Sequence, residues 1–296
     1  MSDGPALATT AATAGAYLGD KLRALDERLK LVALRVLASA DDAQAVHDLR
    51  VALRRTRVVL EVGRRVLGRF HTDEVRRALR DVQRATGALR DEEVLLELVR
   101  SLGVTHPDVQ RWLESRGRRE HRLRGALVAA VRAGELDDGL RLLEALLAFR
   151  VNPSRDRRLA KLARRAVDDA RREVDRRRGA RPDDPEALHR LRIAYKRLRY
   201  TVDTFADVLP SDFVALAQPA ARFQGRIGDL HDVDVALGCV RRARSLSDEA
   251  RTELLAALTH TREERVALYV KELGVAAIAP AVQAVGTESL RKISTR

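Results

Sequence analysis

The chain has 296 residues, enough for one large domain or two of ordinary size with a real core. Aromatic residues make up only 3% while Leu, Ala and Val dominate, the composition of packed helices rather than strands. A net charge of +13 and a pI near 10.7 point to a polyanionic partner: nucleic acid, an anionic membrane surface or a phosphate polymer. Cys239, the single cysteine, excludes an intrachain disulfide and a zinc cluster built on thiolates.

Residues 1–15 are small and polar and are expected to be disordered. They lack the basic region and sustained apolar core of a secretory signal, and no apolar run approaches the length of a bilayer span, so the expectation is a cytoplasmic protein without a membrane contact. Leu18, Leu22, Leu25, Leu29, Val32 and Val36 follow a helical rhythm that ends near Leu37. Asp42 is placed to cap a second helix running to about Leu67, with Gly68 as its stop. A third helix is predicted from Thr72 to a break or kink at Gly87, and a fourth from Arg90 to Leu102. His106 and Pro107 open the next, Gly134 and Gly139 punctuate the link to a helix over 140–149, and Asn152 with Pro153 closes the first half.

The second half repeats the plan. A helix carrying Leu159, Ala163, Val167, Ala170 and Val174 precedes Asp184 as cap and Pro185 as first helical residue of the next. Helices over about 211–227, 230–245 and 247–272 follow, and 276–296 reads as a tail. No useful strand-like alternation appears. The fold class expected is all-α, with a helical bundle in 16–150 and another in 151–275.

Two motifs support a duplication. Residues 41–57, DDAQAVHDLRVALRRTR, recur 142 positions later as DDPEALHRLRIAYKRLR, and Gln83 to Asp91 recur at an offset of 141 as Gln224 to Asp232. On a helix, His47, Arg50, Arg54 and Arg57 fall within an arc of roughly 80°, as do His189, Arg192, Lys196 and Arg199. Each helix thus has an apolar back and a basic front with almost no acid, whereas an ordinary solvated face mixes signs to gain i,i+4 pairs.

The two histidine helices and the Leu89-Arg90-Asp91 and Leu230-His231-Asp232 motifs, in this order, resemble the CHAD family, the conserved histidine α-helical domain, over about residues 16–275. The resemblance implies two four-helix bundles related by a pseudo-twofold axis, a basic groove or channel between them, and binding of inorganic polyphosphate without catalysis or a cofactor. Its phosphate-facing set here is His47, Arg50, Arg54, Arg55, Arg57, His189, Arg192, Lys196, Arg197 and Arg199, with Arg90 and His231 as additions. Association with polyphosphate granules would follow. The sequence departs from the pattern in the later motif, where His231 stands opposite Arg90 and Asp234 opposite Glu93.

Arginine suits this task because its planar fork of N–H donors matches phosphate oxygens, and binding releases condensed counterions. Arg50 to Arg57 spans roughly 10 Å of helix, enough to meet several successive phosphates. His47 and His189 either donate to phosphate or anchor their helix starts. Asp91 and Asp232 either cap helices or buttress the arginines. Tyr200 is either a core ring with a wet tip or a hydroxyl at the groove edge.

Two rivals remain. His231-Asp232 is similar to the metal site of HD-type phosphohydrolases, but its first-half counterpart is Arg90-Asp91, and arginine cannot ligate a metal. A nucleic-acid protein is permitted by charge, yet helix-turn-helix spacing, zinc fingers and stacking aromatics are missing, so only incidental binding at low salt is expected.

Overall fold

A computed structural model describes residues 13–39, 42–148 and 158–278, with side chains to 273. Its elements are α1 (Ala14–Ala38), α2 (Ala43–Gly63), α3 (Arg69–Ala78), α4 (Arg80–Ser101), α5 (Pro107–Arg132), α6 (Glu135–Ala148), α7 (Leu159–Arg177), α8 (Pro185–Thr204), α9 (Ser211–Val214), α10 (Ala217–Arg241) and α11 (Asp248–Ile278). Extended pairing among the described residues is confined to an isolated bridge between Thr13 and Arg158. The fold is all-α.

Local chemistry starts the two repeated helices in the same way. Asp42 Oδ1 accepts from the Ala45 amide at 2.8 Å, and Asp184 Oδ1 accepts from the Ala187 amide at 2.8 Å, with Pro185 in the first turn of α8. Each such cap is worth about 1 kcal/mol. Leu49, Ala52, Leu53, Thr56, Val59 and Leu60 then form the buried back of α2, and Leu188, Leu191, Ala194, Tyr195 and Leu198 that of α8.

Packing follows one scheme in both halves. α1 lies on α2, α2 on α4 and α4 on α5, and in the same order α7 lies on α8, α8 on α10 and α10 on α11. α3 and α6 pack on each other as additions to the first half. The halves meet where α2 crosses α8 and α4 crosses α10. Their cores are shared. One cluster joins Leu18, Leu49 and Leu89 to Leu191, Ile227 and Tyr269, and another joins Leu95 and Trp112 to Val233 and Leu254.

Several boundaries differ from the expectation. Residues 13–15 are not part of a disordered leader: the Thr13 hydroxyl accepts from the Ala16 amide at 3.2 Å, and Ala14 and Gly15 are buried in the first turn of α1. Helix α4 runs straight through Gly87, and the break falls eight residues earlier at Leu79. There α6 presses in at Gly139, where an added Cβ would lie 2.3 Å from Leu79 Cδ2, so this glycine is an internal contact of α6 rather than a link. Likewise α10 continues through Gly228 and takes in residues 217–227 of the expected 211–227 helix, leaving only the short α9 before it. Gly134, at φ 86°, does end α5, and Gly68, at φ 98°, precedes α3, which starts at Arg69 rather than Thr72. Asn152, Pro153, residues 1–12 and the tail from 279 lie outside the described residues; 276–278 belong to α11.

Candidate functional site

The α2–α8 crossing brings the two basic stripes onto each other. Arg54 reaches from α2 to donate through Nη1 to the Tyr200 hydroxyl on α8 at 2.9 Å, with its guanidinium 5.5 Å from that ring's centre. Tyr200 is buried at the ring and engaged at the tip. Lys196, beside it, is held down to about 7 from an ordinary 10.5, first by burial and then by the charges of Arg54, Arg192, Arg50 and Arg57. Arg50 is depressed as well, by burial and then by Arg54 and Arg90.

The seam continues onto the α4–α10 crossing. The rings of His189 and His231 lie 4.7 Å apart, and both are pushed below the usual histidine range by burial first and Arg192 next. Histidine Nδ1 of residue 189 and Nε of Arg192 are buried without a hydrogen-bond partner. Arg192 lies against Gly228, whose missing Cβ would stand 3.3 Å from the guanidinium Nε. The motif glycine of α10 gives the arginine its place.

Carboxylates border this seam without pairing with its central cations: Glu93 acts on Arg50, and Asp232 on Arg192, through space. Among the described residues Arg50, Arg54, Arg57, Arg192 and Lys196 have no ion-pair partner. Arg90 makes a 3.4 Å contact with Glu93. Glu93 also takes Arg124 of α5 at 2.9 Å, and its opposite number Asp234 takes Arg262 of α11 at 2.6 Å. The acids at this pair of positions thus clamp the next helix in each half. Asp91 and Asp232 sit in mid-helix and cap nothing. The Asp232 carboxyl is pushed up by burial, with Arg192 opposing.

The remaining stripe residues point elsewhere. His47 and Arg55 line a cavity of about 610 Å³ between α1, α2 and α8, with Lys21, Arg28, Asp48 and Asp203. Arg197 turns to the other side of α8 and meets Glu61 at 3.2 Å. Arg199 stands 5.5 Å from the Tyr200 ring centre and 3.8 Å from Asp203. The two histidines expected to be equivalent have different neighbours, since His189 meets His231 while His47 is exposed on α2.

Among the described residues no group of three or more His, Cys, Asp or Glu side chains is placed to hold a metal ion. No helix there is long and apolar enough to cross a membrane.

The CHAD domain family matches residues 16–241, and the chain belongs to it. Among solved structures the chain is similar to the CHAD domain of the plant Ricinus communis: 21% identity, TM-score 0.70, over 91% of this chain and 94% of that one. It is also similar to PptA from Streptomyces chartreusis, at 17% identity and TM-score 0.61, over 89% of this chain and all of that one. At these identities the likeness is one of fold. No curated protein matches the sequence.

Proposed function

We propose that the chain binds inorganic polyphosphate in the seam between α2, α4, α8 and α10, as a binder rather than a catalyst. The observation that carries this reading is the convergence of Arg50, Arg54, Arg57, Arg192 and Lys196, none of which has an ion-pair partner among the described residues. Like charges 4 Å apart near a protein surface repel by about 4 kcal/mol. A cluster of this kind is a standing cost to the fold, and a flexible thread with one charge per phosphate relieves it. Family resemblance points the same way, because CHAD members are known as polyphosphate binders. Arg192 Nε is buried without a partner, so this arginine's terminal nitrogens are the ones that would reach phosphate oxygens. A cytoplasmic, granule-associated location would fit such a binder.

The test is a titration with polyphosphates of defined length on the full chain and on Arg50→Ala/Arg54→Ala/Arg192→Ala/Lys196→Ala. The expected loss is about a hundredfold or more, since charge-assisted contacts are worth roughly 1.5–3 kcal/mol each. Wild-type chain should keep long polyphosphate under excess duplex DNA. Equal affinity of the two proteins, or release of the polymer to DNA, would overturn the reading.

A further inference from the structure

Outside the seam, a strongly charged cavity of about 370 Å³ lies where the end of α2, the start of α3, α7 and α8 meet. Six arginines line it, Arg64, Arg65, Arg69, Arg76, Arg165 and Arg197, against two carboxylates, Glu61 and Asp169. The other lining side chains are aliphatic or carry a hydroxyl, and no aromatic ring is among them.

The acids are already engaged in bracing. Glu61 meets Arg197 at 3.2 Å and Arg76 at 3.8 Å, and Asp169 pairs with Arg172 along α7. Arg64 Nε donates to both carboxyl oxygens of Asp73, at 3.0 and 3.1 Å. These contacts fix three guanidinium groups as walls. Arg65, Arg69 and Arg165 have no carboxylate partner among the described residues and stay exposed. α3 starts here with Arg69, and its N-cap Gly68 brings no side chain to the first-turn amides, so the positive end of that helix adds to the field.

We propose that this cavity is a second anion site that takes a short free phosphoanion of the tripolyphosphate class. Its volume lies at the small end of ligand sites, too small to house a long polymer. With no ring to stack on, a nucleobase gains nothing there. Guanidinium forks from four helices and loops surround the space, the arrangement that matches a compact multi-oxygen anion. The site shares no residue with the seam as drawn above, so the inference stands apart from the polyphosphate reading.

Calorimetric titration of tripolyphosphate into the full chain tests it, with Arg69→Ala/Arg165→Ala and Arg50→Ala/Arg192→Ala beside wild type. Wild type should show two classes of site. Arg69→Ala/Arg165→Ala should weaken one of them tenfold or more, because each lost charged contact is worth about a factor of ten. Arg50→Ala/Arg192→Ala should keep that class. Both arginines of the first variant are exposed, and a melting curve matching wild type verifies its fold. Both classes keeping their wild-type affinity in Arg69→Ala/Arg165→Ala overturns the proposal. So does loss of the class in Arg50→Ala/Arg192→Ala, which would mean that the cavity holds only the end of a polymer lying in the seam. Failure of the seam reading is separate: it shows as long-chain polyphosphate bound equally by wild type and Arg50→Ala/Arg192→Ala.

Discussion

Arg54 of α2 and Tyr200 of α8 form a 2.9 Å hydrogen bond across the crossing of the two basic helices, and the acceptor is a phenol rather than a carboxylate. A neutral partner orients the guanidinium without cancelling its charge. Tyr200→Phe should therefore cost about 0.5–1.5 kcal/mol of stability, the net worth of a neutral hydrogen bond, by denaturant unfolding. Polyphosphate affinity should fall only a few-fold. Arg54→Ala loses the same hydrogen bond but also relieves repulsion with Lys196, so its stability cost should be smaller while affinity falls about tenfold or more. Equal binding losses in the two variants would show that Tyr200 itself meets the ligand.

Lys196 makes binding sensitive to pH. In the free chain its amine titrates near 7, below the ordinary 10.5, under burial and the charges of Arg54, Arg192, Arg50 and Arg57. A bound polyanion favours the ammonium form, so binding takes up a proton and should tighten as pH falls from about 9 towards 7. Titrations in buffers of different ionisation enthalpy would detect the uptake directly. Lys196→Arg should bind with little pH dependence in that window. The sign for stability is opposite to that of a paired lysine: between about 7 and 10.5 the unfolded chain holds the proton that the fold rejects, so stability of the free protein rises with pH through this range.

Self-repulsion in the seam should also be visible as stability traded for binding. Arg50 is half-buried, faces Arg54 and Arg90 and has no acid partner. Arg50→Met keeps the aliphatic stem and removes the charge, so it should raise the melting temperature of the free chain by ~1–3 °C. Saturating polyphosphate should stabilise wild type more than Arg50→Met. A lower melting point for the free variant would show that Arg50 holds the seam together instead of straining it.

Much of this arrangement is legible in the letters. The caps Asp42 and Asp184, Pro185 in the first turn and the apolar backs of α2 and α8 are local signals, and the structure places each where the periodicity puts it. The break at Leu79 is not local. It arises where Gly139, sixty residues away, lets α6 close on the chain, and nothing around Leu79 announces that contact. Gly228 misleads because a glycine inside a helix can mark a close neighbour, here Arg192, as well as an end, and Gly87 because a helix held by its packing tolerates a glycine with open space around it. Arg55 and Arg197 follow the stripe in sequence but sit about 100° round the helix from the seam residues Arg54 and Lys196, which carries them to other cavities. Which side of a stripe meets the partner helix is decided by the crossing, and the crossing is invisible from one helix alone.

The two motif glycines make a controlled pair for the last prediction. Gly87 in α4 has nothing within 4 Å of an added Cβ, whereas at Gly228 in α10 the Cβ would sit 3.3 Å from Arg192 Nε and 3.6 Å from one of its terminal nitrogens. Gly87→Ala should simply gain helix propensity, stabilising by about 0.5–1 kcal/mol with polyphosphate affinity unchanged. Gly228→Ala gains the same propensity but must push Arg192 aside by a few tenths of an ångström. The guanidinium loses its aligned position while keeping its charge, so affinity should drop without a fall in melting temperature. Combining Gly228→Ala with Arg192→Ala discriminates steric from general effects: the glycine substitution should cost nothing further once the arginine is gone. If it still weakens binding there, the backbone of α10 rather than the placement of Arg192 carries the effect.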